Sequence, residues 1–252
     1  MVDIGIGRDT IRDVQLIIFD KDGTLIDLFT YWSNMIHYRV TLAQKKFGFD
    51  EIKKNQIAYA MGVDMKNKRL RTEGPVGLKK REIVMEAMMD SLSEMGIRNT
   101  REICCEIFKE VDELSIHHFE EIIKPIHGAH DLINTLASNT CKIAIATTDK
   151  TERAKLAMEF LGVREKIDAI IGAEMVKNTK PSTDMVDVIL EELKIDKKHT
   201  IIVGDAITDV EMGINAGLHA SIGVTSGLTT AERLLNITPF VISDISRITV
   251  LS

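Results

Sequence analysis

The stretch VQLIIFDKDGTL, residues 14–25, decides the fold. Val14 to Phe19 form a compact apolar run that Asp20 and the Asp22-Gly23 pair bring to an end. A short apolar run bounded in this way reads as a strand covered on both faces that ends in a polar loop. Asp20 and Asp22 stand in that loop, one residue apart.

Runs of the same kind recur after Pro125. Strands are expected at Lys142 to Thr147, Asp168 to Ile171 and Thr200 to Val203, and near Ala220 to Gly223 and Phe240 to Ile242, with amphipathic helical segments between them. Ile- and Val-rich strands alternating with helices suit right-handed crossovers in a parallel sheet, so the expected class is α/β with a doubly wound sheet. The stretch from Thr30 to Ile123 follows another period. Ile36, Val40, Ala43 and Phe47 recur at helical spacing, as do Ile103, Ile107, Val111 and Leu114. Lys79 to Met95 adds a Met-rich helical pattern, and Gly74-Pro75 with Gly77 divides the series into two pairs of helices. The expected organisation is a sheet core from residues 1–27 and 124–252, with an all-helical domain, residues 28–123, inserted after the first strand. Hinges are expected near Leu28 and from Ile123 to Gly128. There is no internal repeat or low-complexity linker.

Composition narrows the functional classes. The chain has 252 residues, 44% hydrophobic and 28% charged, which is ordinary for a globular protein and sets disorder aside. A net charge of -6 argues against a general nucleic-acid or anionic-membrane surface, so any phosphate recognition must be local. Cys104, Cys105 and Cys141 lack paired metal-ligand spacing and read as reduced thiols, with cytoplasm as the expected compartment. No secretion signal or membrane span is expected.

Ligands of open parallel sheets bind outside the carboxyl ends of the strands. Groups suited to phosphate chemistry follow four of the expected strands: Asp20 and Asp22, Thr147 with Thr148, Lys180, and Asp205 with Asp209. Phosphoryl transfer needs an in-line nucleophile, a proton donor for the leaving oxygen, and positive charge on the equatorial oxygens. Asp20 and Asp22 can flank a phosphorus, one attacking and the other protonating, with Gly23 supplying the tight turn. The carboxylates of Asp20 and Asp205 form an oxygen-rich site of the kind Mg2+ prefers. Lys180 would neutralise more of the charge, and Thr147 or Thr148 would donate a hydroxyl hydrogen bond to a phosphoryl oxygen.

These residues resemble the haloacid dehalogenase superfamily. The resemblance lies in DKDGTL at Asp20 to Leu25, IAIATTD at Ile143 to Asp149, Lys180-Pro181, and GDAITD at Gly204 to Asp209, in family order across the whole core. It implies a Rossmann-like core, an aspartyl-phosphate formed on Asp20 and acid/base work by Asp22. It also implies Mg2+ held by Asp20, Asp205 and the backbone carbonyl of Asp22, with Asp209 as a ligand or a supporting partner. The helical insertion looks like the cap of the phosphoglycolate-phosphatase and phosphoglucomutase branch, and GVTSG at Gly223 to Gly227 sits where that branch has a loop near the site. Two motifs depart from the pattern. Thr148 stands where members often have Asn, with Thr147 favoured as the hydroxyl, and Lys180-Pro181-Ser182-Thr183-Asp184 keeps only the Asp of the usual Pro-Asp continuation. Asp22 argues against a dehalogenase and against a phosphonate hydrolase, which leaves phosphate-ester chemistry.

The expected function is therefore Mg2+-dependent hydrolysis of a small phosphorylated metabolite, phosphoglycolate-like or a sugar phosphate, with the oligomeric state open and a homodimer the one assembly considered. A phosphosugar mutase shares every one of these residues, and a binding protein built on the same core is the remote alternative. Other motifs take plainer readings. Asp149 reads as a helix cap, while for Asp209 cap and site are even. Gly5-Ile6-Gly7 reads as a loop or tail rather than a dinucleotide fingerprint. His117, His118, His127 and His130 read as solvated, and Met61, Met65, Met85, Met88, Met89 and Met95 as packing within the helical domain. Tyr31 and Trp32 read as core residues. Arg69, Arg71, Lys79, Lys80 and Arg81 form a basic cluster that serves either an acidic substrate group or nothing beyond solvation.

Overall fold

The computed structural model describes residues 1–71, 73–77 and 81–251. The first residues are strand, not the loop or tail expected around Gly5. β1 (Val2–Ile6) and β2 (Asp9–Val14) form an antiparallel hairpin, with Ile4 opposite Ile11 and Gly5 opposite Thr10. Val2, Ile4 and Ile6 alternate at the strand period and are buried, and Gly7 makes the turn at φ +61°. Gly5 is required by close approach, since a Cβ there would lie 2.4 Å from Thr249 Oγ1. Val14 therefore belongs to β2. The apolar run resumes as β3 (Leu16–Phe19), whose four residues are all buried.

The chain divides into two compact units, Met1–Asp27 with Pro125–Ser252, and Leu28–Lys124. The second begins with α1 (Leu28–Phe47), which buries Leu28, Tyr31, Met35, Ile36, Arg39, Val40 and Ala43 along one stripe. α2 (Glu51–Ala60) is capped by Asp50, whose side chain accepts from the Lys53 N–H at 2.8 Å. β4 (Val63–Asp64) and β5 (Arg69–Leu70) then pair antiparallel, so the unit is not all-helical. The Asp64 carboxylate braces the turn of this hairpin by accepting from both the backbone and the side chain of Asn67. α3 (Arg81–Glu94), α4 (Arg101–Leu114) and the short α5 (Phe119–Ile122) follow. α4 buries Cys104, Ile107, Phe108 and Val111, leaving Leu114 exposed. Met61, Met85 and Met88 are buried, as packing requires, while Met65, Met89 and Met95 are half-buried. In the basic cluster, Arg69 pairs with Asp64 at 3.4 Å and Arg81 with Asp112 at 2.9 Å, while Arg71 donates to the Tyr59 carbonyl at 2.9 Å. Lys79 and Lys80 lie outside the described residues.

The first unit resumes with α6 (Ala129–Ser138) and β6 (Lys142–Ala146), then α7 (Thr151–Phe160), β7 (Ala169–Ile171), α8 (Asp184–Leu193), β8 (Thr200–Gly204), α9 (Ile207–Ala216), β9 (Ala220–Val224), α10 (Ala231–Leu235) and β10 (Phe240–Ile242). Six strands form one parallel sheet in the order β10-β9-β8-β3-β6-β7. β3 is central, with Phe19 registered against Ile145 on one side and Val203 on the other. Leu16, Ile18, Ala144, Ala146, Ile171, Ile202 and Met212 meet in one core layer with Met185, Val186 and Ile189 of α8. β11 (Ile248–Leu251) returns to pair with β1 and completes a separate three-stranded sheet. After β3 the strands run outward through β6 and β7, then cross back to β8, β9 and β10 on the other side. That reversal opens a crevice at the carboxyl ends of the strands beside β3.

Candidate active site

Asp20 follows β3 directly. Its N–H donates to the Val203 carbonyl at 2.9 Å, which extends the ladder one residue and fixes the carboxylate at the sheet edge. The loop then closes on itself, with Leu25 and Ile26 N–H both donating to the Lys21 carbonyl at 3.0 Å and Gly23 N–H to the Ile26 carbonyl at 2.8 Å. Gly23 has φ +93°, and a Cβ there would come within 2.6 Å of the Asp205 carboxyl carbon. Gly227 closes on the same carboxylate from the loop after β9: a Cβ would stand 1.7 Å from Asp205 Oδ2. Ser226 ties the two loops together by donating to the Gly23 carbonyl at 2.6 Å.

Asp205 follows β8, and Asp209 sits in the first turn of α9. Oxygens of Asp20, Asp205 and Asp209 all lie within 4.8 Å of one another, and all three residues are buried. Lys180, beyond β7 and joined to Pro181 by a cis peptide bond, enters this cluster. Its Nζ lies 2.6 Å from Asp20 Oδ1 and 2.7 Å from Asp209 Oδ1, with the lysine side chain 2% exposed. Asp209 performs both tasks that its position allowed, because its second oxygen accepts from the Ala206 N–H at 3.0 Å and so serves the helix start.

Three carboxylates against one ammonium leave the cluster electron-rich. Burial, the largest influence, raises the pKa of Asp20 against the opposing pull of Lys180. Burial and then the charges of Asp20 and Asp209 raise Asp205 well above the ordinary carboxylate range. For Lys180, burial disfavours the charge, but Asp20 and Asp209 outweigh it and hold the ammonium above the usual lysine range. The donor set, three hard oxygens with no sulfur or imidazole, fits a divalent cation such as Mg2+.

Thr147 follows β6, donates its N–H to the Ile171 carbonyl at 3.0 Å, and is 1% exposed. Its Oγ1 accepts from the Asp149 N–H at 3.1 Å, which leaves the hydroxyl proton to be donated elsewhere. Thr148, one residue on, is exposed. Asp149 is not the cap of α7. The Thr151 N–H at that helix start is taken by Glu174 at 2.8 Å, and Asp149 Oδ2 instead faces Lys21 Nζ at 3.3 Å and Arg153 Nε at 3.5 Å. Burial alone would raise the Asp149 pKa, but Lys21 and Arg153 turn it downward. Lys21 is the residue that motif reading passed over. It is 1% exposed, and its Nζ also lies 2.6 Å from Asp22 Oδ1. Burial raises the Asp22 pKa, opposed first by Lys21.

Residues 17–223, from β3 into β9, match the family described as haloacid dehalogenase-like hydrolase. The chain belongs to this family. This hydrolase is 24% identical over 211 residues to the pyrophosphatase PpaX of Halalkalibacterium halodurans, covering 83% of each chain. It is 26% identical over 127 residues to a phosphorylated carbohydrates phosphatase of Thermotoga maritima, covering 50% of this chain and 59% of that one. Its fold matches the crystal structure of a predicted phosphoglycolate phosphatase from Haemophilus somnus, with a TM-score of 0.73, 15% identity, and coverage of 94% of this chain and 96% of that one.

Gly23 offers a direct check on the geometry. Gly23→Ala should lower kcat by about 100-fold through displacement of Asp205, while costing about 2–3 kcal/mol of stability for the left-handed backbone and the crowding of a buried carboxylate. Steady-state kinetics and thermal melts of the same preparation separate the two effects, and an unchanged kcat would mean that Asp205 has room to move without consequence.

Proposed function

We propose that this hydrolase is a Mg2+-dependent phosphatase of a small phosphomonoester. One observation carries the reading: the Asp20 carboxylate is held at the sheet edge by Lys180 within a buried cluster that also contains Asp205 and Asp209. A carboxylate held in this way is aimed for attack rather than solvated, and Lys180 offsets charge on the phosphoryl oxygens. Asp20, Asp205, Asp209 and the Asp22 backbone carbonyl would hold the cation, whose chemistry is to neutralise the phosphoryl charge so that an anionic nucleophile can approach.

Asp20 attacks phosphorus, forming an O–P bond as the ester P–O bond breaks, and Asp22 delivers its proton to the departing alkoxide. Asp22 then takes a proton from water as that water attacks the aspartyl-phosphate and frees Asp20. The Thr147 hydroxyl donates to a phosphoryl oxygen. In this reading the 28–124 unit is the lid that selects the substrate, a role supported by its insertion directly after the Asp20–Asp22 loop. The phosphatase names of the relatives support phosphate-ester chemistry, and three free cysteines support a reducing compartment, the cytoplasm. Among the described residues, no helix is long and apolar enough to cross a membrane.

A panel of phosphorylated metabolites incubated with Mg2+ tests the proposal. Inorganic phosphate should appear from small phosphomonoesters and should stop appearing when the cation is chelated. Conversion of a hexose 1-phosphate to its isomer without phosphate release would replace the phosphatase with a mutase. Silence across the panel would remove enzymatic phosphoryl transfer altogether.

A further inference from the structure

Lys21 lies between the two carboxylates of the proposed reaction, and its ammonium pairs with Asp22 and Asp149, whose side chains stand outside the Asp20, Asp205 and Asp209 cluster. A lysine this deeply buried requires compensating charge. It finds that charge in Asp22 Oδ1 at 2.6 Å and Asp149 Oδ2 at 3.3 Å. Asp149 is itself secured, by Arg153 Nε at 3.5 Å and by the Lys150 N–H donating to Oδ1 at 2.8 Å. The result is a row of alternating charge, Asp22, Lys21, Asp149, Arg153, leading from the reaction centre into the start of α7.

A merely structural account of Lys21 is weak, because the loop conformation is already set by main-chain bonds. The Lys21 carbonyl accepts from Leu25 and Ile26, and Gly23 supplies the positive φ. Neither needs an ammonium group. What the ammonium does fix is the rotation of the Asp22 carboxylate, which has two free side-chain torsions and must present one oxygen along the line of the leaving group. We propose that Lys21, anchored by Asp149, is a positioning residue for Asp22, committing Oδ1 to the ion pair and Oδ2 to the proton. In ester cleavage the proton passes from Oδ2 to the leaving oxygen as the P–O bond breaks, and in hydrolysis Oδ2 recovers it from water.

This inference rests on the phosphatase reading, and leaving-group dependence separates the two. An alkyl phosphate needs a proton on its leaving oxygen, whereas p-nitrophenyl phosphate departs without one. The ratio of kcat/KM values for the two esters therefore reports proton delivery in the phosphorylation step. Asp22→Asn is the reference, and it should lose far more activity on the alkyl ester than on the aryl ester. Lys21→Met should show the same selectivity, losing roughly 10- to 100-fold on the alkyl ester and less than about threefold on the aryl ester, within the range that general acid catalysis supplies. Asp149→Asn, a gentler change at a partly exposed side chain, should lean the same way by roughly threefold to tenfold, and it decides the matter if Lys21→Met does not fold. Equal losses on both esters in these variants, or none, while Asp22→Asn stays selective, would overturn the positioning role alone. Equal losses in Asp22→Asn itself would overturn the acid role of Asp22 and the inference with it.

Discussion

Asp20→Asn should abolish turnover, by at least about 10⁴-fold, in a protein that still folds. The substitution keeps the shape of the side chain but removes the anion that attacks phosphorus, and no neighbour is placed to replace it. Asp205 and Asp209 share the cluster, yet Asp209 is already bonded to Lys180 and the Ala206 N–H, and Asp205 is wedged between Gly23 and Gly227. The fold should tolerate the change for an electrostatic reason. Lys180 keeps Asp209 at 2.7 Å as a partner, and the cluster falls from three carboxylates to two, so one repulsion disappears with one attraction. The net effect on stability should stay within about 2 kcal/mol. Mass spectrometry of protein quenched during turnover should find the aspartyl-phosphate in the parent and not in the variant. Turnover by Asp20→Asn above a small fraction of the parent's would make direct attack by water the better mechanism.

How far the sequence speaks for the molecule depends on the range of each interaction. β3 was legible because Leu16, Ile17, Ile18 and Phe19 are apolar without alternation and stop after four residues at a polar turn, which suits a short strand covered on both faces better than a helix. The convergence of Asp20, Lys180 and Asp205 was legible because a parallel sheet collects the carboxyl ends of its strands on one edge, whatever the separation along the chain. The β11-β1-β2 sheet was not, since one partner of Val2–Ile6 is Ile248–Leu251 at the far end of the sequence, and Gly5 breaks the pattern that would mark the local hairpin with β2. The β4–β5 hairpin has strands of two residues, too short for any period to show. Lys21 and Asp149 illustrate another limit. A lysine in a polar loop and an aspartate before a helix each have an ordinary solvated role by default. Only their burial against one another, from the ends of neighbouring strands, gives them a different one.

Lys180→Met should affect both stability and activity, and the pH dependence of the first identifies the cause. Methionine fills much of the same space but leaves Asp20, Asp205 and Asp209 buried around a missing cation. Removing one partner of a buried ion pair costs about 3–5 kcal/mol, because the remaining charge is left uncompensated. Activity should fall by roughly 10²- to 10³-fold through lost stabilisation of the phosphoryl oxygens. In the parent the Lys180 pKa is raised, so its contribution to stability is complete through neutral pH and fades only above the usual lysine range. The Asp20 and Asp205 pKa values are raised as well, so the folded state holds more protons than the unfolded chain above the ordinary aspartate value of 3.8. Stability therefore falls as pH rises from there, and without Lys180 it should fall more steeply. Melts of parent and variant, taken without divalent cation, should be closest in acid and diverge toward neutrality. A constant gap across that range would show that the lost lysine mattered for packing and not for charge. Added Mg2+ should narrow the neutral-pH gap, since a cation held by the same carboxylates compensates the same charge, while turnover stays low because the second positive group is still missing.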